Sequence, residues 1–545
     1  MAQDADPTAF PVLTPAELQL LRPLAEVREY EPGTLIFQAG TAEVDLFVVE
    51  AGGIEIRNPA DDGHIVTHRA GGFSGDIDLL TGRPVIVSAY AHGPTRLLRV
   101  QHRMLRTLLN RVPGFGEKLI TAFTRRRELL AQAGKLGITV VGAGHCKDTN
   151  LVREFLHKNF VPFGWLNSEA DAGRQALAAH PPGCARPVVD CGGGTVLYNP
   201  SLRELAKCAG VWRACPGEPV DLAVVGAGPA GIAAAVYAAS EGLSTLLLDR
   251  LGPGGQAGGS SKIENFIGFP AGLSGTDLAT RGVLQMLKFG ARMAAPVAVE
   301  RIEVPADPHA HRLLHLDCDT VVRARVVLVA TGVGWRKLPA AGADRFEAAG
   351  IHYVCTAVEA VLYDQCDVAV VGGGNSAGQA TMHLAECCPT RRVHLVVRRP
   401  LGTTMSEYLV SRVRGAANVT VHEGAGVAEV EGRHYLEGLV LEHPAGGRER
   451  LACSGVFVFI GADPAVGWLP PDLARDEHGF LLTGSDALRS GRWPLAGRDP
   501  CPLETTLPGV LAAGDVRAGS TKRVGFAVGD GSLAVTCTHH LLSLG

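Results

Sequence analysis

Residues 222–240 read LAVVGAGPAGIAAAVYAAS, and this stretch gives the strongest indication of the fold in the whole sequence. Four apolar residues typical of a buried strand lead into Gly226, Gly228 and Gly231, and an alanine-rich helical run follows at once. The first glycine allows a tight turn, the second lets a pyrophosphate approach the backbone, and the third lets the helix pack on the strand. The stretch therefore predicts the opening of a dinucleotide-binding unit.

The sequence around this motif supplies the other parts of such a unit. Pro229 and Ala230 stand in the first turn of the helix, whose N-terminus binds phosphates. The next strand, Ser244 to Leu248, ends in Asp249, which can accept a hydrogen bond from a ribose hydroxyl. A purely structural glycine turn is the alternative, but the strand, the helix and the acid together favour a nucleotide site.

A second motif lies at residues 368–377, VAVVGGGNSA, and again joins a strand to a helix. Its following strand, Val393 to Val397, ends in Arg398 and Arg399 instead of an acid. Guanidinium groups hold phosphate through paired hydrogen bonds, so this site is predicted to prefer the 2′-phosphate of NADPH. A solvated basic turn is the alternative. The contacts expected for NADPH are Gly372, Gly374, Asn375, Ser376, Ala377, Arg398 and Arg399.

Two dinucleotide sites in one chain predict a relay, in which one cofactor, FAD, stays bound and the other delivers hydride and leaves. The remaining composition sets limits on other functions. The 545 residues carry a net charge of -4, which gives no case for nucleic-acid binding, and no apolar run approaches the length of a membrane span. The thirteen cysteines include no CxxC and no zinc-type spacing, so no metal site is expected. The polar, acidic start of the chain favours a cytoplasmic protein.

From about residue 219 to the end, the sequence resembles the thioredoxin reductase family. The resemblance rests on GGQ at 254–256, EN at 264–265, ATG at 330–332, GVLAAGDV at 509–516 and RVG at 523–525. It implies a homodimer with an FAD domain split between 219–336 and 456–545, and an NADPH domain, 337–455, inserted between the parts. It implies that FAD is contacted by Gly226, Gly228, Pro229, Ala230, Gly231, Asp249, Gly255, Gln256, Asn265, Thr331, Gly332, Gly514, Asp515, Arg523 and Val524.

One departure from the family affects the electron acceptor. The family has a CxxC just before the second glycine motif, whereas here Cys355 keeps the first position and Val358 replaces the second. Disulfide reduction needs both an attacking thiolate and a resolving thiol, so the ordinary cycle cannot run on this segment. Cys355 is either a leftover small apolar residue or a one-cysteine redox centre. The acceptor is then a small redox protein or a small molecule.

Residues 12–132 resemble a cyclic nucleotide-binding domain, which implies a β-jelly roll. FSGD at 73–76 and TGRP at 81–84 are similar to the family's phosphate-binding cassette. The family usually has an arginine directly after that proline, but here it is Val85, and Asp76 replaces the usual glutamate. The anion thus lacks its guanidinium partner. A degenerate regulatory or scaffolding module and a working cyclic nucleotide sensor both stay open.

Residues 137–213 resemble, more weakly, glutaredoxin and thioredoxin-like α/β domains. Cys146 lies just before a predicted helix, at the family's nucleophile position, and Thr149 replaces the second cysteine. A thiol at a helix N-terminus can have a lowered pKa. Arg186-Pro187 matches the cis-proline that the family places before a strand. A redox-inactive adaptor domain is the alternative to a thiol centre at Cys146.

The sequence therefore predicts a multidomain α/β flavoprotein that moves hydride from NADPH to FAD and on to an acceptor, with an N-terminal regulatory module. One rival passes the electrons to ferredoxin, a quinone or oxygen without disulfide chemistry. Another is a ligand-sensing protein in which the flavin is structural.

Overall fold

The computed structural model describes residues 6–544, apart from 60, 112–113, 134–137, 145, 193, 261, 308, 348, 356, 434 and 445. Residue 137, at which the predicted thioredoxin-like domain begins, lies outside the described residues, as does the side chain of Val358.

The N-terminal unit is built from two antiparallel sheets with helices at their edge. The sheets have the strand orders β1-β7-β3 and β2-β6-β4-β5. The elements are α1 Pro15–Leu21, β1 Glu26–Tyr30, β2 Leu35–Phe37, β3 Leu46–Ala51, β4 Ile54–Arg57, β5 His64–His68, α2 Ile77–Thr81, β6 Ser88–Ala91, β7 Thr95–Val100, α3 Leu105–Arg111 and α4 Phe115–Ala133. β3 and β4 follow one another across a turn, and this turn carries the chain from one sheet to the other.

The second unit is a sheet of order β11-β10-β8-β9, in which β8 and β9 are parallel and the other neighbours antiparallel. Its elements are β8 Ile138–Gly142, α5 Lys147–Lys158, β9 Phe163–Asn167, α6 Asp171–Ala178, β10 Val188–Asp190, β11 Val196–Tyr198 and α7 Leu202–Cys208. Strands and helices alternate from β8 to α6, and the β10-β11 pair and α7 follow, so the thioredoxin-like domain stays a prediction here. The Arg186–Pro187 peptide directly before β10 is cis, as predicted.

The third unit is a sheet whose centre is parallel and has the order β14-β13-β12-β17. β28 pairs with β17 in parallel. β16 also pairs with β17, in antiparallel, and β15 pairs with β16 in the same way. The first part of the chain in this unit gives β12 Val220–Val225, α8 Pro229–Ser240, β13 Thr245–Leu248, α9 Gly275–Phe289, β14 Arg292–Ala294, β15 Val299–Glu303, β16 Arg312–Leu316, β17 Val321–Val329 and β18 Val333–Trp335. β13 is buried throughout its length, as parallel strands covered on both faces are.

The fourth unit is a parallel sheet of order β19-β26-β20-β21-β22 with an antiparallel meander β23-β24-β25 beside it. Its elements are β19 Ile351–His352, α10 Ala357–Leu362, β20 Val368–Val371, α11 Asn375–Cys387, β21 Val393–Val397, α12 Glu407–Gly415, β22 Val419–Glu423, β23 Gly426–Glu431, β24 Gly438–Glu442, β25 Arg448–Ala452 and β26 Gly455–Val458. The domain boundary predicted at residue 455 falls inside β26, because this strand pairs with β20.

The chain then returns to the third unit with β27 Ala462–Pro464, α13 Gly484–Arg489, β28 Val510–Ala512 and α14 Val524–Ser543. β18 and β27 form an antiparallel ribbon, so the two crossings between the third and fourth units run side by side. α14 packs against α8 where Gly531 leaves no room for a side chain, since a Cβ there would clash with the carbonyl oxygen of Ala230.

The first and second units contact each other and the third unit directly. The Arg83 guanidinium donates to the carbonyl oxygen of Asn159 (2.6 Å), and the Asn159 side-chain amide donates to the carbonyl oxygen of Leu251 (2.8 Å). Leu284, on α9 of the third unit, belongs to the apolar core of the first unit. Within the described residues, no helix is both long enough and apolar enough to cross a bilayer.

Candidate dinucleotide and thiol sites

The first glycine motif has the geometry that its spacing predicts. Gly226 has φ 110°, and a Cβ there would clash with the carbonyl oxygen of Ala330. A Cβ at Gly231 would clash with the carbonyl oxygen of Gly226, so this glycine sets the close approach of helix and strand. At Gly228 the nearest atom to such a Cβ is the Gly255 Cα, at 3.9 Å. The second position is thus an open cradle at the N-terminus of α8, which suits a pyrophosphate.

Asp249 lies at the end of β13 and is already bound to the backbone around the motif. Its Oδ2 accepts from the Ala227 N–H (2.8 Å), and its Oδ1 accepts from the N–H groups of Leu251 (2.9 Å) and Gly252 (2.8 Å). A carboxylate has about four acceptor positions, so these bonds orient the group and leave capacity for a ribose hydroxyl.

The second part of the predicted FAD site comes from the returning chain. Gly514 has φ 76°, and a Cβ there would lie 3.0 Å from the Cβ of Ala230 in the first turn of α8. Its N–H donates to Asp530 (3.0 Å). Asp515 follows directly, and burial raises the pKa of its carboxyl. The structure therefore brings Asp515 to the same helix N-terminus as Gly228, although the two are far apart in sequence.

Of the other residues predicted to contact FAD, some form hydrogen bonds within the protein and others are exposed. The Thr331 hydroxyl donates to the carbonyl oxygen of Ala465 (2.8 Å), beside Gly332 at φ 62°, and the Gln256 amide donates to the carbonyl oxygen of Val333. Asn265 and Arg523 are exposed, and Val524 begins α14.

The second glycine motif repeats this construction. A Cβ at Gly372 would clash with the carbonyl oxygen of Phe459, whereas a Cβ at Gly374 would meet nothing within 4 Å. Asn375 is exposed and accepts from the Ser406 N–H (2.7 Å), which holds the loop after β21 beside the N-terminus of α11. Ser376 is exposed beside it, while Ala377 is buried against β20 and β21.

Arg398 and Arg399 are both exposed at the carboxyl end of β21. Among the described residues, neither guanidinium forms an ion pair. Arg392, at the other end of the same strand, is paired with Asp367 (2.6 Å). Two cations without ion pairs among the described residues thus lie at the end of β21, the position from which dinucleotide sites bind the ribose.

Cys355 lies in the apolar core beneath α11 and is 9% exposed. Burial raises the pKa of this thiol well above its ordinary value, and the Glu359 and Cys387 side chains act in the same direction. A nucleophilic cysteine needs its thiolate form, so this environment disfavours attack by Cys355 on a disulfide.

Cys146 is the residue before α5 and is partly exposed, and Thr149, at the family's second cysteine position, is fully buried. The loop before it faces α10, the helix that follows Cys355: a Cβ at Gly144 would lie 3.7 Å from Leu362 Cδ2. The two predicted thiol sites thus lie on neighbouring elements.

Sequence reasoning missed the disulfide between Cys191 and Cys208. Cys191 follows β10, whose last residue pairs with Thr139 at the start of β8, whereas Cys146 follows the end of β8. Cys191 therefore lies at the opposite end of these strands from Cys146. A seventeen-residue separation gives no motif, and no signal in the sequence alone identifies this pair. The described residues contain no group of three or more His, Cys, Asp and Glu placed to hold a metal ion.

Two glycine cradles, one followed by an acid and one by two arginines, define a flavoprotein oxidoreductase that uses a pyridine nucleotide. Residues 220–531, more than half of the chain, match the model of the pyridine nucleotide-disulphide oxidoreductase family, and the chain belongs to this family. Its members are NADPH-dependent oxidoreductases that use FAD. Residues 27–112 match the cyclic nucleotide-binding domain model.

Similar proteins agree with this assignment. A thioredoxin reductase of Mycoplasma pneumoniae is 32% identical over 59% of this chain and 95% of its own length. An alkyl hydroperoxide reductase component of Staphylococcus aureus is 28% identical over 63% of each chain. The crystal structure of thioredoxin reductase from Lactococcus lactis covers 60% of this chain and all of its own, with a TM-score of 0.53 and 25% identity.

Proposed function

We propose that this chain oxidises NADPH on a bound FAD and passes the electrons to an acceptor outside residues 355–358. The observation that carries the proposal is the pair of open glycine cradles with opposite charge at their strand ends, Asp249 and Arg398-Arg399. FAD supplies the hydride-accepting chemistry when bound. The chain's own residues bind and orient: the α8 and α11 N-termini hold pyrophosphates, and the arginines select the phosphorylated ribose.

The proposed FAD domain comprises 219–336 and the returning chain from about residue 459, and the NADPH domain comprises the segment between them. Support comes from β28, which pairs with β17 in the sheet of the third unit, and from β26, which lies between β19 and β20 in the sheet of the fourth unit. We propose a homodimer on the resemblance to thioredoxin reductases. We propose a cytoplasmic location because, across the described chain, the cysteines other than Cys191 and Cys208 are free thiols.

The acceptor that the geometry supports best is not a disulfide. Val358 occupies the position of the resolving cysteine, so no resolving thiol is present there. Burial raises the pKa of the Cys355 thiol, which disfavours its thiolate form. Ferredoxin, a quinone and oxygen are acceptors that need no thiol. Stopped-flow mixing with NADPH tests the first half of the proposal, with fast bleaching of the flavin as the expected result. A flavin that stays oxidised would make it structural and would contradict the proposal.

A thiol route is the second candidate, because the loop before Cys146 touches α10. In that case one of these cysteines attacks an outside disulfide as its thiolate and forms a mixed disulfide, and the second sulfur of the outside disulfide leaves as a thiolate. Cys355→Ser and Cys146→Ser, made singly, separate the candidates when flavin reduction and disulfide turnover are measured independently. We expect normal flavin reduction in both variants and no disulfide turnover in the wild type. Wild-type turnover that either substitution abolishes would establish the thiol route instead.

A further inference from the structure

A cavity in the N-terminal unit lies where the resemblance places the cyclic nucleotide. It has an empty volume of about 610 Å³ including its mouth, and it lies between the β2-β6-β4-β5 sheet, α4 and residues 73–87. Its wall is almost entirely apolar: Phe37, Ile56, Val66, Val85, Ile86 and Leu129 all line it. The residues that follow the cassette and line the cavity, Val85, Ile86 and Val87, have apolar side chains.

One polar region breaks this wall. Arg126 lines the cavity and is buried, with its Nε and Nη1 donating to the carbonyl oxygens of Ala9, Phe73 and Gly75. Its Nη2 has no partner among the described residues, and the same holds for Nδ1 of His68, which is 3% exposed and also lines the cavity. Unpaired polar atoms buried this deeply cost free energy, so both are positioned for a ligand.

Three buried guanidinium groups, those of Arg83, Arg126 and Arg127, lie around the cassette with two carboxylates, those of Asp76, which also lines the cavity, and Asp78, so one positive charge is in excess. Asp76 and Asp78 are both paired with Arg127, at 3.1 and 2.5 Å. Arg83 is directed away from the cavity and donates to Asn159. Arg126 is the cation that faces the cavity, and its hydrogen bonds all go to neutral carbonyl groups. A single anionic group would complete this site.

We propose that this cavity binds a monocarboxylic acid with an apolar tail, and that the domain no longer recognises cyclic nucleotides. The carboxylate binds Arg126 Nη2, His68 Nδ1 donates to it, and the tail lies along the apolar wall. Val85, Ile86 and Val87 close the place where a ribose and a cyclic phosphate would need polar partners. A nucleotide there would lose its hydration without compensating hydrogen bonds.

The cavity is connected to the flavin side of the molecule. Residues 73–84, which line the cavity at Gly75 and Asp76, end with Arg83 and Pro84, and Arg83 is joined through Asn159 to Leu251. The Leu251 N–H donates in turn to Asp249 (2.9 Å), the acid at the end of β13. A ligand that shifts the cassette therefore acts on the loop that orients Asp249.

Equilibrium titration of the full chain with decanoate, followed by calorimetry, tests the proposal. We expect one saturable site per chain, binding of decanol at least tenfold weaker because the charge-assisted bond is lost, and no displacement of decanoate by millimolar cyclic AMP. Displacement by cyclic AMP, equal binding of decanol, or no binding of decanoate would each overturn the proposal.

Two variants locate the site. Ile86→Glu places a carboxylate in the partly exposed wall and should weaken decanoate binding tenfold or more by repulsion. Val27→Glu makes the same exchange at an exposed position of β1 outside the cavity and should leave binding unchanged. Ile86→Trp fills the cavity without a charge, in case the glutamate variant does not fold. Full binding by Ile86→Trp would show that decanoate binds outside this cavity and would contradict the proposal.

Discussion

The two dinucleotide units of this chain share a backbone construction and differ most in charge at one point. Both place a blocked glycine first (Gly226, Gly372) and an open glycine second (Gly228, Gly374) at a helix N-terminus. They differ at the end of the following strand, where one has a carboxylate and the other two guanidinium groups. We therefore expect the backbone to recognise what the dinucleotides share, the pyrophosphate, and the residues after the strand to select which nucleotide binds.

The most damaging test replaces the open glycine in each unit. Gly228→Val should yield protein with less than about a tenth of its flavin, because the side chain occupies the space of the pyrophosphate. Gly374→Val should keep the flavin spectrum and lose reduction by NADPH. Neither change meets protein atoms closer than 3.9 Å at the new Cβ, so folding should survive. Absorbance spectra and stopped-flow traces give both readouts, and a fully yellow Gly228→Val protein would mean that the FAD site is misplaced.

A second test removes the charge difference. Replacing Arg398 and Arg399 together with Ala should raise KM for NADPH about tenfold or more and leave KM for NADH nearly unchanged, since each charge-assisted bond contributes roughly 1.5–3 kcal/mol. Arg392→Ala is the matched control, because this exposed arginine lies at the opposite end of β21. Steady-state kinetics with both nucleotides decide the matter, and equal effects on NADPH and NADH would refute the role of the pair.

The smallest effect concerns the third motif position, where the units differ by one methyl group. Ala377→Gly should lower the free energy of unfolding by roughly 0.5–1 kcal/mol, the cost of a glycine inside a helix. Gly231→Ala is the opposite exchange and should be far worse, because its Cβ would clash with the carbonyl oxygen of Gly226. Thermal melts of the two variants compare them directly. Similar melting temperatures would show that the third position does not control packing.

The parts of the molecule that were predictable are those in which local sequence carries the constraint. The strand, turn and helix around Gly226 were predictable because apolar periodicity and glycine spacing specify them residue by residue. The convergence of Asp515 on the N-terminus of α8 followed only from the resemblance, since nothing local indicates which strands become neighbours. The Cys191–Cys208 disulfide and the proximity of Gly144 to Leu362 depend on tertiary packing and were missed.

Leu284 joins the third unit to the apolar core of the first unit. This side chain belongs by sequence to α9 of the third unit, yet it is 3% exposed within the core of the first unit. Other residues of α9, Val283 and Met286, lie in the core of the third unit, so α9 contributes to both cores and neither unit can unfold alone without exposing apolar surface of the other. The N-terminal unit is therefore part of one cooperative folding body, and a shortened enzyme that starts at residue 219 would carry an uncovered, aggregation-prone face on α9.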